Sequence, residues 1–275
     1  MELNPLIFTD LDGTLLDHHT YSYREALPAL ELLKRQNIPW IFNTSKTFAE
    51  LVTLQQEMQN PWPMILENGS GVAVPKNMFC EELFGNPLAK QEIQSVERNN
   101  YLYYRLGHSR QDFLPLVAKL KADFDFIHYG EMQPEYLANL TGLNLEKAIQ
   151  SLDRQYTEPC LWQDTEQAFV EFKKRLRERG LYCVRGGRFA HVMGKSDKGR
   201  ALKWVASKLY SGNQPTKIAL GDGENDLPML NEADIAILVR SPQHEPPSPC
   251  QAPQTRITEE IGPLGWSGAI IALLK

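Results

Sequence analysis

The stretch IFTDLDGTLLD, residues 7 to 17, decides the fold of this chain. Leu6, Ile7 and Phe8 make an apolar run of the kind that forms a short buried strand. Two carboxylates follow, Asp10 and Asp12, one residue apart, and Gly13 and Thr14 then break the strand pattern. Acids at i and i+2 at a strand's end face one spot if the chain curls there, and a glycine permits the curl. Held that close, two carboxylates repel each other unless a cation lies between them or one stays protonated. This is the local chemistry of a Mg²⁺ site with one acid left for proton transfer. Asp-Gly is also a common turn pair, so the motif takes its meaning from its partners further along.

Working outward, Tyr23 to Gln36 has apolar residues at helical spacing, and Ile38 to Phe42 reads as a second buried strand ending at Asn43-Thr44-Ser45-Lys46-Thr47. A helical pattern runs from Phe48 to about Met58, and Pro63 to Leu66 reads as a third strand ending at Glu67-Asn68-Gly69-Ser70. Strand, polar loop, helix, strand is the rhythm of a parallel sheet with helices on its faces. In such sheets ligands bind off the carboxyl ends of the strands, where all three polar clusters fall. The rhythm resumes after residue 193 with a helix over 197 to 210, strands at 217 to 220 and 235 to 239, and the loop Gly221-Asp222-Gly223-Glu224-Asn225-Asp226. Between these parts, strands and helices lose strict alternation. The expected organisation is therefore an α/β core of residues 1–85 and 194–275, with an inserted α+β module at 86–193. Residues 241 to 254 are rich in proline and read as an irregular loop, and the chain closes with GPLGW at 262 to 266 and an apolar helix.

Phosphoryl transfer needs a nucleophile, a proton donor, a cation, and groups that meet the non-bridging oxygens. Asp10 suits the nucleophile. Asp12 suits the acid that protonates the leaving alcohol and then activates water. Asp222, on its Gly-flanked loop, completes a metal site with Asp10, while Asp12 offers its backbone carbonyl. Asn225 and Asp226 lie one shell out or hold a metal-bound water. Thr44, at a strand end before a helix, suits phosphate binding, with Ser45 adding a hydroxyl or an N–H. Lys198 opens a helix and neutralises the phosphate or Asp10, and Lys46 faces substrate or solvent.

The four signatures DLDGT at 10 to 14, Thr44, Lys198 and GDGEND at 221 to 226 resemble, in type and order, those of the haloacid dehalogenase superfamily of phosphatases. The resemblance implies a Rossmann-like core, Mg²⁺, an aspartyl-phosphate intermediate, and a cap of the C2B type as the inserted module. TSKT at 44 to 47, ENGS at 67 to 70, TGL at 141 to 143, RQYTEP at 154 to 159, GGRFAHVMGKSDKG at 186 to 199 and GPLGW are similar to stretches of the mannosyl-3-phosphoglycerate phosphatases. That family's substrate is a small sugar phosphate, and its product, mannosylglycerate, is a compatible solute. Such a substrate carries a phosphate, a carboxylate and a ring of hydroxyls. Arg154, Arg188, His191 and Lys195 are then the candidates for the carboxylate, and Glu158 for the sugar hydroxyls.

Composition bounds the alternatives. The 275 residues are 42% hydrophobic and 23% charged with a net charge of −5, ordinary for a soluble protein and without the basic stripe of a nucleic-acid partner. No basic-then-apolar leader opens the chain and no apolar run of roughly 18 residues exists, so neither secretion nor a membrane span is expected. Cys80, Cys160, Cys183 and Cys250 are far apart and read as reduced thiols of a cytoplasmic protein. Another capped sugar phosphatase or a phosphomutase shares these signatures. A non-catalytic ligand-binding module on this fold is expected to lack Asp10 or Asp12, and both are present.

Overall fold

The computed structural model describes residues 4–78, 95–98, 100–210, 214–248 and 250–275. The first strand, β1 (Pro5–Thr9), is buried along its whole length and pairs in parallel with β2 (Trp40–Asn43) on one side and β11 (Thr216–Gly221) on the other. Beyond β2 lies β3 (Met64–Leu66), and beyond β11 lie β12 (Ile235–Arg240) and β13 (Gln254–Ile261), all parallel. Side chains of β1 alternate between two apolar layers. Ile7 packs with α1 (Leu27–Arg35), α2 (Phe48–Met58) and α9 (Gly262–Leu274). Leu6 and Phe8 pack with α7 (Lys198–Leu209) and α8 (Leu227–Glu232). Burial on both faces is why these strands read as unbroken apolar runs, and each fully buried Leu, Ile or Phe contributes about 1.5–3 kcal/mol.

The large sheet does not stop at β3. β4 (Gly71–Pro75), β6 (Tyr101–Arg105) and β5 (Ser95–Arg98) extend it antiparallel, giving the order β13-β12-β11-β1-β2-β3-β4-β6-β5. The inserted module is expected from residue 86, but Ser95–Arg98 and Tyr101–Arg105 belong to the core sheet. The reason is that Leu102 and Tyr104 join one apolar layer and Tyr103 the other, so this strand needs cover on both faces. From Leu88 the sequence mixes a charged helix-like stretch with an aromatic strand, Tyr101-Leu102-Tyr103-Tyr104, and the helix-like part falls largely outside the described residues.

The chain leaves the core through 106–109 and returns through 194–197. Between them a second, antiparallel sheet has the order β7 (Phe126–His128), β8 (Thr157–Trp162), β10 (Phe189–Met193), β9 (Tyr182–Gly186). Helices α3 (Arg110–Leu120) and α6 (Glu166–Arg177) cover one face through Phe113, Val117, Phe169 and Phe172. The short helices α4 (Pro134–Thr141) and α5 (Leu145–Leu152) form a smaller cluster with Tyr129 and Met132. This is the expected α/β fold with a Rossmann-like parallel sheet and an α+β cap. Strand β13 was not expected. Of its eight residues only Thr258 is buried, so it carries no apolar alternation to announce it. No helix among the described residues is long and apolar enough to cross a membrane, and Cys160, Cys183 and Cys250 are free thiols.

Candidate active site

Strands β1 and β11 are neighbours, so their carboxyl ends bring Asp10 and the 221–226 loop together. Lys198, the first residue of α7, is fully buried between them, with its Nζ 2.6 Å from Asp10 Oδ1 and 2.6 Å from Asp226 Oδ1. Oxygens of Asp10, Asp222 and Asp226 lie within 4.8 Å of one another. Burial and then Asp226 push the Asp10 carboxyl well up, Lys198 pulls it back, and Asp222 pushes it up again. Asp226 is pushed up by burial against the pull of Lys198. Despite its own burial, the Lys198 ammonium is held charged by Asp10 and Asp226. Three buried carboxylates thus face one buried ammonium, which pairs with two of them. That surplus of negative charge, on an all-oxygen donor set, fits a hard divalent cation such as Mg²⁺.

Smaller contacts fix this geometry. Thr14 Oγ1 donates to Asp222 Oδ1 at 3.0 Å, and Asp226 Oδ2 accepts from the N–H groups of Asp222 and Gly223 at 3.1 and 2.9 Å. Gly13 has φ +82°, and a Cβ there would lie 2.6 Å from Asp222 Oδ2, so both the conformation and the space require glycine. Behind Asp10, Trp266 Nε1 donates to Thr9 Oγ1 at 2.9 Å, and that hydroxyl donates to the Asp10 carbonyl at 2.7 Å.

Asp12 lies on the open side, its Oδ1 2.8 Å from Lys46 Nζ. Against the effect of burial, Asp12 and Glu50 hold Lys46 charged, and its ammonium lies over the Tyr21 ring at 5.2 Å. Burial and Asp12 push the Tyr21 hydroxyl up while Lys46 and Arg188 pull it back, so the four groups share one region. A cavity of about 100 Å³ adjoins it, lined by Tyr21, Lys46 and Glu50 from the core and Leu143, Lys147 and Gln150 from the cap. Thr44 is buried at the end of β2, its Oγ1 accepting from Lys46 N at 3.3 Å and its carbonyl from Asn68 N at 2.8 Å.

The cap residues divide. His191 is buried, its Nδ1 has no partner among the described residues, and its pKa is lowered to about 3 by burial and then by Arg154 and Lys198, so it is a neutral imidazole. A Cβ on Gly186 would lie 3.7 Å from His191 Nε2 and 3.8 Å from Asn225 Nδ2, which places the β9–β10 hairpin directly over the 221–226 loop. Arg188 is exposed at the hairpin's turn, and Lys195 is exposed in the returning linker. Arg154 is already engaged, donating to Ser45 O at 3.0 Å, Thr157 Oγ1 at 2.9 Å and Ser151 O at 3.1 Å. Ser45 therefore meets the cap through its carbonyl.

Glu158 corrects the expectation made for it. It pairs with Val192, a member of the helix-covered layer, so its side chain faces away from the core. Its carboxylate is fully buried and accepts from His128 Nδ1 at 2.6 Å, Gly130 N at 2.7 Å and Arg110 Nε, leaving it no role toward sugar hydroxyls. Sequence reasoning in turn missed Glu67, Asn68 and His244. His244, in the proline-rich stretch, has Nε2 3.5 Å from Asp222 Oδ2, and that carboxylate raises its pKa to about 9. ENGS at 67 to 70 was noted as a strand end, but nothing in its letters shows what Glu67 holds.

Comparison with known proteins agrees with this geometry. Residues 7–245 match the haloacid dehalogenase-like hydrolase family. A protein of Methanococcoides burtonii, a glucosyl-3-phosphoglycerate/mannosyl-3-phosphoglycerate phosphatase, is 35% identical over 271 residues, covering 98% of this chain and 97% of its own. One of the same name from Persephonella marina is 34% identical over 279 residues, with the same coverage. Among solved structures, a subclass IIB sugar phosphatase of the haloacid dehalogenase superfamily superposes with a TM-score of 0.66 at 17% identity, over 98% of both chains, a likeness of fold.

Proposed function

The chain belongs to the haloacid dehalogenase-like hydrolases and is a phosphoric monoester hydrolase; from that premise we propose that it is Mg²⁺-dependent, works through an aspartyl-phosphate on Asp10, and hydrolyses mannosyl-3-phosphoglycerate, with the glucosyl ester as a second substrate. The observation that carries this reading is the buried cluster in which Lys198 holds one oxygen of Asp10 while Asp222 and Asp226 stand within 4.8 Å. Its other oxygen is left for attack on phosphorus.

Attack forms the Asp10–phosphorus bond and breaks the bond to the sugar-acid oxygen, which takes its proton from Asp12. Asp12 then removes a proton from water as the water attacks the phosphoryl group, and Asp10 returns to its carboxylate. Lys198 balances the charge of Asp10 throughout, and Thr44 with the N–H groups opening α2 meets the phosphoryl oxygens. Asp10, Asp222 and the Asp12 carbonyl would hold Mg²⁺, with Asn225 and Asp226 behind them, and the bound ion would neutralise charge on the phosphate. Lys46, Arg188 and neutral His191 surround the leaving group's end of the site, where two cations suit a carboxylate and an imidazole suits a hydroxyl.

The test is phosphate release from a panel of sugar phosphates with and without Mg²⁺. We expect Mg²⁺-dependent release, fastest from mannosyl- or glucosyl-3-phosphoglycerate. Faster release from unrelated hexose phosphates would overturn the substrate, and release undiminished by chelation would overturn the metal.

A further inference from the structure

The two linkers are the covalent connections between cap and core, yet a third attachment lies in the turn 67–70. Glu67 is fully buried, and its carboxylate leaves the core to accept from three consecutive cap amides and a hydroxyl. Oε1 accepts from Gln155 N at 2.8 Å, and Oε2 from Tyr156 N at 3.0 Å, Thr157 N at 2.7 Å and Thr157 Oγ1 at 2.8 Å. The turn that aims it is strained, with φ +48° at Glu67, +57° at Asn68 and +84° at Gly69. Two of these are not glycine, a conformation that persists only when the surroundings impose it.

An apolar contact accompanies the polar one. Tyr156 packs against the core layer, and a Cβ on Gly71 would lie 2.6 Å from its ring, so the strand start is kept bare to seat it. The same turn also holds both linkers. Ser70 O accepts from Leu106 N and Gly107 N, both at 2.9 Å, and the hydroxyls of Ser70 and Ser196 are 2.6 Å apart. On its other side it holds the phosphate-facing loop, with Glu67 N donating to Lys46 O at 3.0 Å and Asn68 N to Thr44 O at 2.8 Å.

We propose that Glu67 is a positioning residue that clips the 155–157 segment of the cap to the turn that also sets Thr44, so that the cap rides on this clip in fixed register over the catalytic loops. A cap that loses the clip keeps its linkers and the contacts of Arg154 with Ser45 and of Gln150 with Thr47, but the 155–157 segment loses its fixed register. Substrates held by cap residues then suffer, and substrates that need only the core do not. The kinetic arm of the test rests on the phosphomonoesterase reading, whereas amide exchange does not, so the two fail separately.

In Glu67→Gln one carboxylate oxygen becomes a donor and meets N–H groups. Hydrogen exchange at residues 155–157 is expected to quicken about tenfold or more while that of β1 is unchanged. In kinetics, kcat/KM for mannosyl-3-phosphoglycerate is expected to fall about 30-fold, with p-nitrophenyl phosphate changed less than about threefold. Should that variant not fold, Thr157→Val, which removes one hydroxyl, and Gly71→Ala, which displaces the Tyr156 ring, are expected to shift both readouts the same way by smaller factors. Unchanged exchange at 155–157 would overturn the clip. An equal fall for both substrates would overturn the positioning role.

Discussion

The core and the cap each bury charged side chains, and they use them differently. Around Asp10 the buried charges converge on one point, and the arrangement is left unbalanced, with three buried acids against one buried cation, Lys198, and the more exposed His244 beside Asp222. Around Glu158 the buried charge is balanced and its acceptor sites are filled by Arg110, His128 and Gly130. An unsatisfied cluster is poised for a ligand, while a satisfied one is framework. By the same test Arg154 and Glu67 belong to the frame, whereas His191 Nδ1 has no partner among the described residues.

Substitutions can break that contrast. The largest effect is expected from Asp10→Asn, which removes the proposed nucleophile and should lower phosphate release by about 10⁴-fold or more with the fold intact; activity near wild type would place the chemistry elsewhere. Lys198→Met leaves Asp10 and Asp226 buried without their cation, and urea unfolding in chelator should show a loss of about 3–5 kcal/mol. Glu158→Gln is expected to cost about 2–3 kcal/mol of stability while leaving KM unchanged. A raised KM with unchanged stability would return Glu158 to the site.

His191 sharpens the comparison through pH. Unfolded, its imidazole takes a proton below about 6.5, whereas folded it stays neutral down to about 3. The unfolded state therefore binds more protons in that window. Its contribution to stability is whole above the window and declines by about 1.4 kcal/mol for each unit that pH drops. His191→Gln should flatten the acid limb of stability against pH by one proton. The smallest effect is expected from Lys203→Ala, which removes an exposed pair with Glu232 and should change stability by less than about 1 kcal/mol.

The core was legible because its chemistry restricts the letters. The acids at 10 and 222 meet in one buried cluster, only glycine fits at 13, and a strand-end position follows from the apolar run before it. The cap was legible as a module but not as a site. An arginine or glutamate there looks the same whether it meets a ligand or a backbone, and Glu158 and Arg154 turned out to hold their own frame. Strand β13 escaped because it buries only Thr258 and leaves Ile257 and Ile261 exposed, and β5 and β6 fall within the range assigned to the cap because antiparallel pairing at the sheet's edge breaks the βα rhythm.

The hydrogen bond from Trp266 to Thr9 joins groups 257 positions apart. The strand that leads into Asp10 is translated long before the indole that steadies it. The support behind Asp10 is thus complete only once α9 has folded back onto β1, and a contact of such high sequence separation forms slowly.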